Sequence, residues 1–221
     1  MSFKRLATLA AAGLFASVMS ANATTLTVVA AECASDAAVT FVNSPAATLD
    51  CGATSGIVNG VDVNRTLSAN VNLGAADGQF FSLGLRNDGL NFGGVLVLEI
   101  SPAFNGLAMF FEVTNPGNHF EAAAVFVGTS DNYQDRTFMG FVDNGSGGSD
   151  TPVTTVNIIN GPWTHLFLVD VSRQRYGNTA STDGYDIDAI SLTPSAIPLP
   201  AGLVLLGSGL ALLGLRRRRK A

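Results

Sequence analysis

Along the middle of this 221-residue chain, apolar and polar positions alternate with a period of two, the spacing that sends successive side chains to opposite faces of a strand. Phe81, Leu83 and Leu85 share one face of their run. Leu107, Met109, Phe111 and Val113 share another, and Trp163, His165, Phe167 and Val169 a third. The run Val95-Leu96-Val97-Leu98 is apolar on both faces, as suits a central strand covered from two sides. Between these runs recur the turn pairs Asn59-Gly60, Asp77-Gly78, Asp88-Gly89, Asn105-Gly106, Pro116-Gly117, Asn144-Gly145 and Asp183-Gly184. No helical stripe interrupts them. Short strands separated by Gly, Asn and Asp turns predict an all-β fold, an antiparallel β-sandwich of jelly-roll-like form over residues 24–194. Residues 145–149 read as a flexible loop and 193–200 as a linker.

The two ends break the pattern. Lys4 and Arg5 precede an apolar stretch from Leu6 to Met19, and Ala21-Asn22-Ala23 has the small-x-small form of a cleavage site, so residues 1–23 read as a signal peptide. At the other end, residues 195–221 begin with Ile197-Pro198-Leu199-Pro200-Ala201, continue as an apolar run to Leu215, and finish on Arg216, Arg217, Arg218, Arg219 and Lys220. A helix over 197–215 would be roughly 28 Å long, close to a hydrocarbon core of about 30 Å, and no charge interrupts it. Pro198 and Pro200 lack amide donors and belong at its entrance. The five cations behind it hold that end on the cytoplasmic side, which places the body outside the inner membrane.

This tail resembles the PEP-CTERM class of bacterial sorting signals, and most closely its VPLPA variant, with Ile197 in the valine position. It departs from the founding motif at Leu199, where Glu is usual. The resemblance implies an exosortase that cuts near the proline motif and delivers the protein to the cell surface or beyond, in a cell that makes exopolysaccharide. It implies nothing about the ligand of the body.

Export changes how composition reads. Seven of the 12 basic residues lie in the two ends, which leaves five against all 17 acids and a net charge of −12 for residues 24–194. Such a surface repels nucleic acid and anionic lipid, and suits solubility or cation binding. Cys33 and Cys51 are the only cysteines and meet an oxidising compartment, so they are expected to pair as a disulfide.

Catalytic signatures are missing. Phosphate loops, HExxH, GxSxG and paired CxxC motifs do not occur. His165 alternates with Trp163 and Phe167 and reads as a core or interface residue rather than a base; His119 follows Pro116-Gly117-Asn118 and reads as a turn residue. The most specific stretch is Asp183-Gly184-Tyr185-Asp186-Ile187-Asp188-Ala189-Ile190. Period two sets Asp186 and Asp188 on one strand face, with Tyr185, Ile187 and Ala189 on the other. Like charges side by side need neutralising, by Ca²⁺ with Asp170 as a third carboxylate, by Arg173 or Arg175, or by water. The segment is similar to the DGFDLDAV-like final strand of secreted bacterial β-sandwich proteins with such tails. The acidic loop Asp131-Asn132-Tyr133-Gln134-Asp135 lacks the spacing of an EF-hand. With one Trp and three Tyr, stacking platforms for sugars are few. The expectation is therefore a non-catalytic, envelope-sorted surface or matrix protein. The alternatives are a carbohydrate-binding module for exopolysaccharide with a structural Ca²⁺ and, last, a secreted hydrolase.

Overall fold

The computed structural model describes residues 24–33, 49–51, 55–58, 61–65, 74, 76–86, 92–113, 119–144, 153–177 and 179–195. The expected signal peptide (1–23), the loop 145–149 and the sorting tail from 196 onward, with Ile197 to Ala201, the helix 197–215 and Arg216 to Lys220, lie outside the described residues. Among the described residues no helix is long and apolar enough to cross a membrane.

Two 18-residue strands, β7 (Val95–Glu112) and β10 (Val153–Asp170), run antiparallel as the spine, from the pair Val153 and Phe111 to the pair Val169 and Val95. Straight, each would span about 60 Å at roughly 3.3 Å per residue. Instead the ladder breaks between Ile158 and Trp163 and again before His165. Pro102 and Pro162, which have no amide to give a ladder, lie in this stretch.

On one side of the break, β1 (Thr25–Ala31) pairs with β7, while β10 pairs with β8 (Ala122–Gly128) and β8 with β9 (Thr137–Asp143). On the other side β7 pairs with β11 (Asp186–Pro194), which pairs with β5 (Gln79–Ser82). Then come β4 (Val61–Arg65) and β3 (Ser55–Val58), a hairpin that brackets Asn59-Gly60 as the turn pair predicts. β4 joins β5 in parallel; every other pairing among the described residues is antiparallel. The short strands β2 (Leu49–Asp50) and β6 (Leu85–Arg86) form a separate ladder. The main sheet curls, so that a Cβ on Gly140 of β9 would stand 3.5 Å from the Val156 side chain of β10.

The curl encloses one core. Leu96, Leu98, Ile100, Phe104, Ala108 and Phe110 of β7 face Val125, Val127, Leu166, Leu168, Tyr185 and Ile187. Burial of each large side chain contributes roughly 1.5–3 kcal/mol. A second cluster lies on the outer face, where Val95, Val97, Phe167 and Val169 are covered by Tyr133 and Tyr176. Tyr133 opens a single 3₁₀ turn and Tyr176 ends a five-residue helix, α1 (Ser172–Tyr176). The run Val95–Leu98 is thus buried on both faces, as its composition predicts.

One detail differs from the sequence reading. Asn105-Gly106 is no turn but continues β7, with Gly106 opposite both Ile158 and Pro194. A glycine is needed there because a Cβ would strike the Thr193 carbonyl and stand 2.8 Å from the Ser195 nitrogen. Leu107, Met109, Phe111 and Val113 share one half-buried face, as their spacing predicts, and the core face of this half of β7 carries Phe104, Ala108 and Phe110.

Cys33 and Cys51 form a disulfide with a Cα–Cα distance of 5.7 Å, tying the residues just after β1 to the end of β2.

Candidate functional site

The buried acids gather where β7 ends, β8 begins and the chain re-enters the sheet as β11. Glu112, Glu121, Asp170, Asp183, Asp186 and Asp188 are all buried. Carboxylates taken from water need donors, protons or a cation, and each of these can be asked which it has.

Asp170 ends β10. It accepts hydrogen bonds from the Ser172 hydroxyl (2.6 Å), the Tyr185 amide (2.9 Å) and the Ser172 amide (3.4 Å). Burial outweighs these donors and pushes its carboxyl up to about 7. Gly184, at φ 78°, turns the chain against it; a Cβ there would stand 2.7 Å from an Asp170 oxygen. Asp170 is therefore a clasp between the start of α1 and the turn before β11.

Asp188 serves a third segment. It accepts from the amides of Asp77 and Gly78, each at 3.2 Å, and so closes the loop that leads into β5. The expected shared face of Asp186 and Asp188 does not form, because the β7–β11 register shifts between Ile187 and Ala189. Ile187 and Ile190, three residues apart, both enter the core. An extra residue at a bulge reverses the alternation, and the inserted residue is Asp188. The set Asp170, Asp186 and Asp188 thus does not assemble.

Asp186 instead joins acids from other elements. It opens β11 opposite Ser82 of β5. The Ser82 hydroxyl hydrogen-bonds Asp186 and also lies 3.2 Å from an Asp183 oxygen. Glu121, just before β8, completes the group: Glu121, Asp183 and Asp186 each present one oxygen within 4.8 Å of the others. Burial first, then the charges of Asp186 and Glu112, hold the Glu121 carboxyl well above the usual range, although Ser181 hydrogen-bonds it. Asn144 frames this end: its amide donates to the His119 carbonyl (2.7 Å) and Glu112 (3.3 Å), and its oxygen accepts from the Glu121 amide (3.0 Å). Tyr185, between Asp183 and Asp186 in sequence, lies in the core. Its hydroxyl is buried with no hydrogen-bond partner, and its titration is pushed up by burial and by Glu112, Glu121, Asp143 and Asp186.

Of the expected competing cations, Arg173 acts by its charge on Asp170, holding that carboxyl down against burial, while Arg175 is engaged by Asp143. Arg175 pairs with Asp143 at 2.8 Å and lies over the Phe141 ring, and Arg173 donates to the Gly177 carbonyl at 3.5 Å. His165 is half-buried beside Thr164 and Phe167, as its alternation predicts.

One surface feature escaped the sequence reading. On β9, at one end of the sheet order, Phe138 and Phe141 are 48% and 46% exposed, with ring centres 4.9 Å apart. Arg136 stacks over Tyr133 at 3.4 Å and over Phe126 at 4.7 Å beside them. The β8–β9 register shifts at this point, so strict alternation hides the pairing of Phe138 and Phe141. The chain matches no protein-family model and no curated protein.

Proposed function

We propose that this is an exported, envelope-sorted, non-catalytic surface or extracellular-matrix protein, processed by an exosortase-type enzyme at its C-terminal signal. The observation that carries the reading is the three-part tail: Ile197-Pro198-Leu199-Pro200-Ala201, the uninterrupted apolar run to Leu215, and the basic cluster from Arg216. In this reading the signal peptide 1–23 starts export, and the helix 197–215 holds the chain in the inner membrane until processing. The body is a jelly-roll-like sandwich made by the curl of its sheet. The Cys33–Cys51 bridge supports an oxidising destination, and the acid excess of residues 24–194 supports a soluble domain that does not bind nucleic acid. Replacement of Arg216 to Lys220 by neutral residues is expected to misplace the protein, read by fractionation and by the mass of the mature form. Release and processing equal to wild type would refute a stop-and-sort role for the tail.

A second reading, a carbohydrate-binding module for exopolysaccharide, gains support from the exposed Phe138 and Phe141 rings on β9 and the stacked Arg136 beside them. Planar exposed rings suit the apolar faces of sugars, and guanidinium groups suit carboxylate-bearing ones.

A further inference from the structure

We propose that the corner where β7 and β10 break, Ser101 to Gly106 with Ile159 to Trp163, sits on the outer leaflet of the inner membrane while the tail is still attached. This builds on the reading of residues 197–215 as a membrane helix given above.

Two independent observations carry it. The first is where the chain enters and leaves the body. β1 begins with Thr25 opposite Ser101, whose carbonyl accepts from the Thr25 hydroxyl at 3.0 Å. β11 ends with Pro194 opposite Gly106, and the Ser195 amide donates to the Asn105 carbonyl at 2.9 Å. The two terminal apolar segments, one ending at residue 23 and one starting at 197, are therefore both tethered to the same short stretch of β7. The two residues from Ser195 to Ile197 reach at most about 7 Å. A headgroup layer is itself about 5–7 Å deep, so Ser195 and the corner it is bonded to lie at the lipid surface.

The second is what the corner exposes. Pro102, Ala103, Asn105 and Pro162 are exposed there, and Ile159 is 55% exposed. Trp163 pairs with Phe104, is half-buried, and donates its indole N–H to the Ile159 carbonyl at 2.8 Å. The Gly161 amide lies 3.4 Å from the Asn105 side-chain oxygen, which ties the two strands into one corner. Residues 24–31, 100–111, 153–169 and 189–195 contain no Asp, Glu, Lys or Arg, in a body of net charge −12. Back along β7 the first acid is Glu99, two positions before Ser101. An uncharged, largely apolar corner can meet an anionic leaflet that the acidic remainder is repelled by, and Trp is a side chain that bilayer interfaces favour.

Trp163 is the only tryptophan, so its fluorescence reports on this corner alone. The test uses the full-length chain in vesicles of phosphatidylethanolamine and phosphatidylglycerol, with and without a lipid spin-labelled near its headgroup. A ring held at headgroup level should lose about half its emission to the label. Ile159→Asp, at an exposed position, should restore most of that emission with the chain still in the membrane. Trp163→Phe with Phe92→Trp moves the probe to a position 45% exposed before the start of β7, far from the corner, and should stay unquenched. Equal quenching of the two probes would overturn the inference and leave the tail reading standing. So would an unquenched Trp163 in a chain that floats with the vesicles, or quenching of Ile159→Asp equal to wild type. A chain that does not float with the vesicles would overturn both.

Discussion

Removing the disulfide should destabilise the body by an amount that can be worked out beforehand. Cys33 and Cys51 are 18 residues apart, and in the chain-entropy model a closed loop of this size restricts the unfolded state by about 3 kcal/mol. Both cysteines are half-buried, so serine in their place leaves no fully enclosed hydroxyl in need of a partner, and the entropic effect should dominate. For a domain of this size each kcal/mol moves the melting temperature by about 2–4 °C. Cys33→Ser with Cys51→Ser should therefore melt about 6–12 °C lower. Calorimetry of the purified, oxidised protein reads this directly, and wild type under reductant should fall to the same temperature. A fall of less than about 2 °C, or two free thiols in unfolded, unreduced wild type, would refute the reasoning.

Asp170 gives the folded state a grip on a proton. Its carboxyl is raised to about 7 in the fold from 3.8, so its contribution to stability is fully present below about pH 4 and is lost as pH rises through about 7. The whole change is on the order of 4 kcal/mol. Urea unfolding in chelator between about pH 4.5 and 8 should show the decline, and Asp170→Asn should flatten it, leaving a residue from Glu121, which is shifted the same way; an unchanged slope would exclude Asp170 as its source. Phe138→Ala with Phe141→Ala removes half-exposed rings, so it should spare the fold and abolish any binding on a glycan array; binding equal to wild type would sink the carbohydrate reading.

Much of the fold was legible because alternation is a direct consequence of strand geometry. It located the strands through Phe81, through Val95–Leu98 and through Trp163–Val169, and it identified the last strand from Asp186. It failed where geometry departs from period two. A bulge costs one residue and leaves no mark in composition, so Asp188 reads as the partner of Asp186 when it serves the loop at Asp77 and Gly78. The register shift near Phe138 hides the ring pair in the same way. Asn105-Gly106 has the chemistry of a turn and the function of a close approach. Of the site, Asp183 and Asp186 belong to the segment singled out by sequence, but Glu121 lies 62 positions upstream of Asp183 in an unremarkable Phe-Glu-Ala run. Only the pairing of β8 with β10, and of β11 with β7, brings the two together.

The acids also change what the net charge means. The −12 of residues 24–194 counts every carboxylate as charged, yet among the described residues six acids are buried around the start of β11. Burial raises the Glu121 and Asp170 carboxyls and so favours their protonated forms. The disulfide adds about 3 kcal/mol, and only where thiols oxidise. On the proposed export route that increment is gained only outside the cytoplasm. On that route the domain is held less firmly folded before it crosses the inner membrane than after, which is the condition a chain must satisfy to be threaded out by a signal peptide.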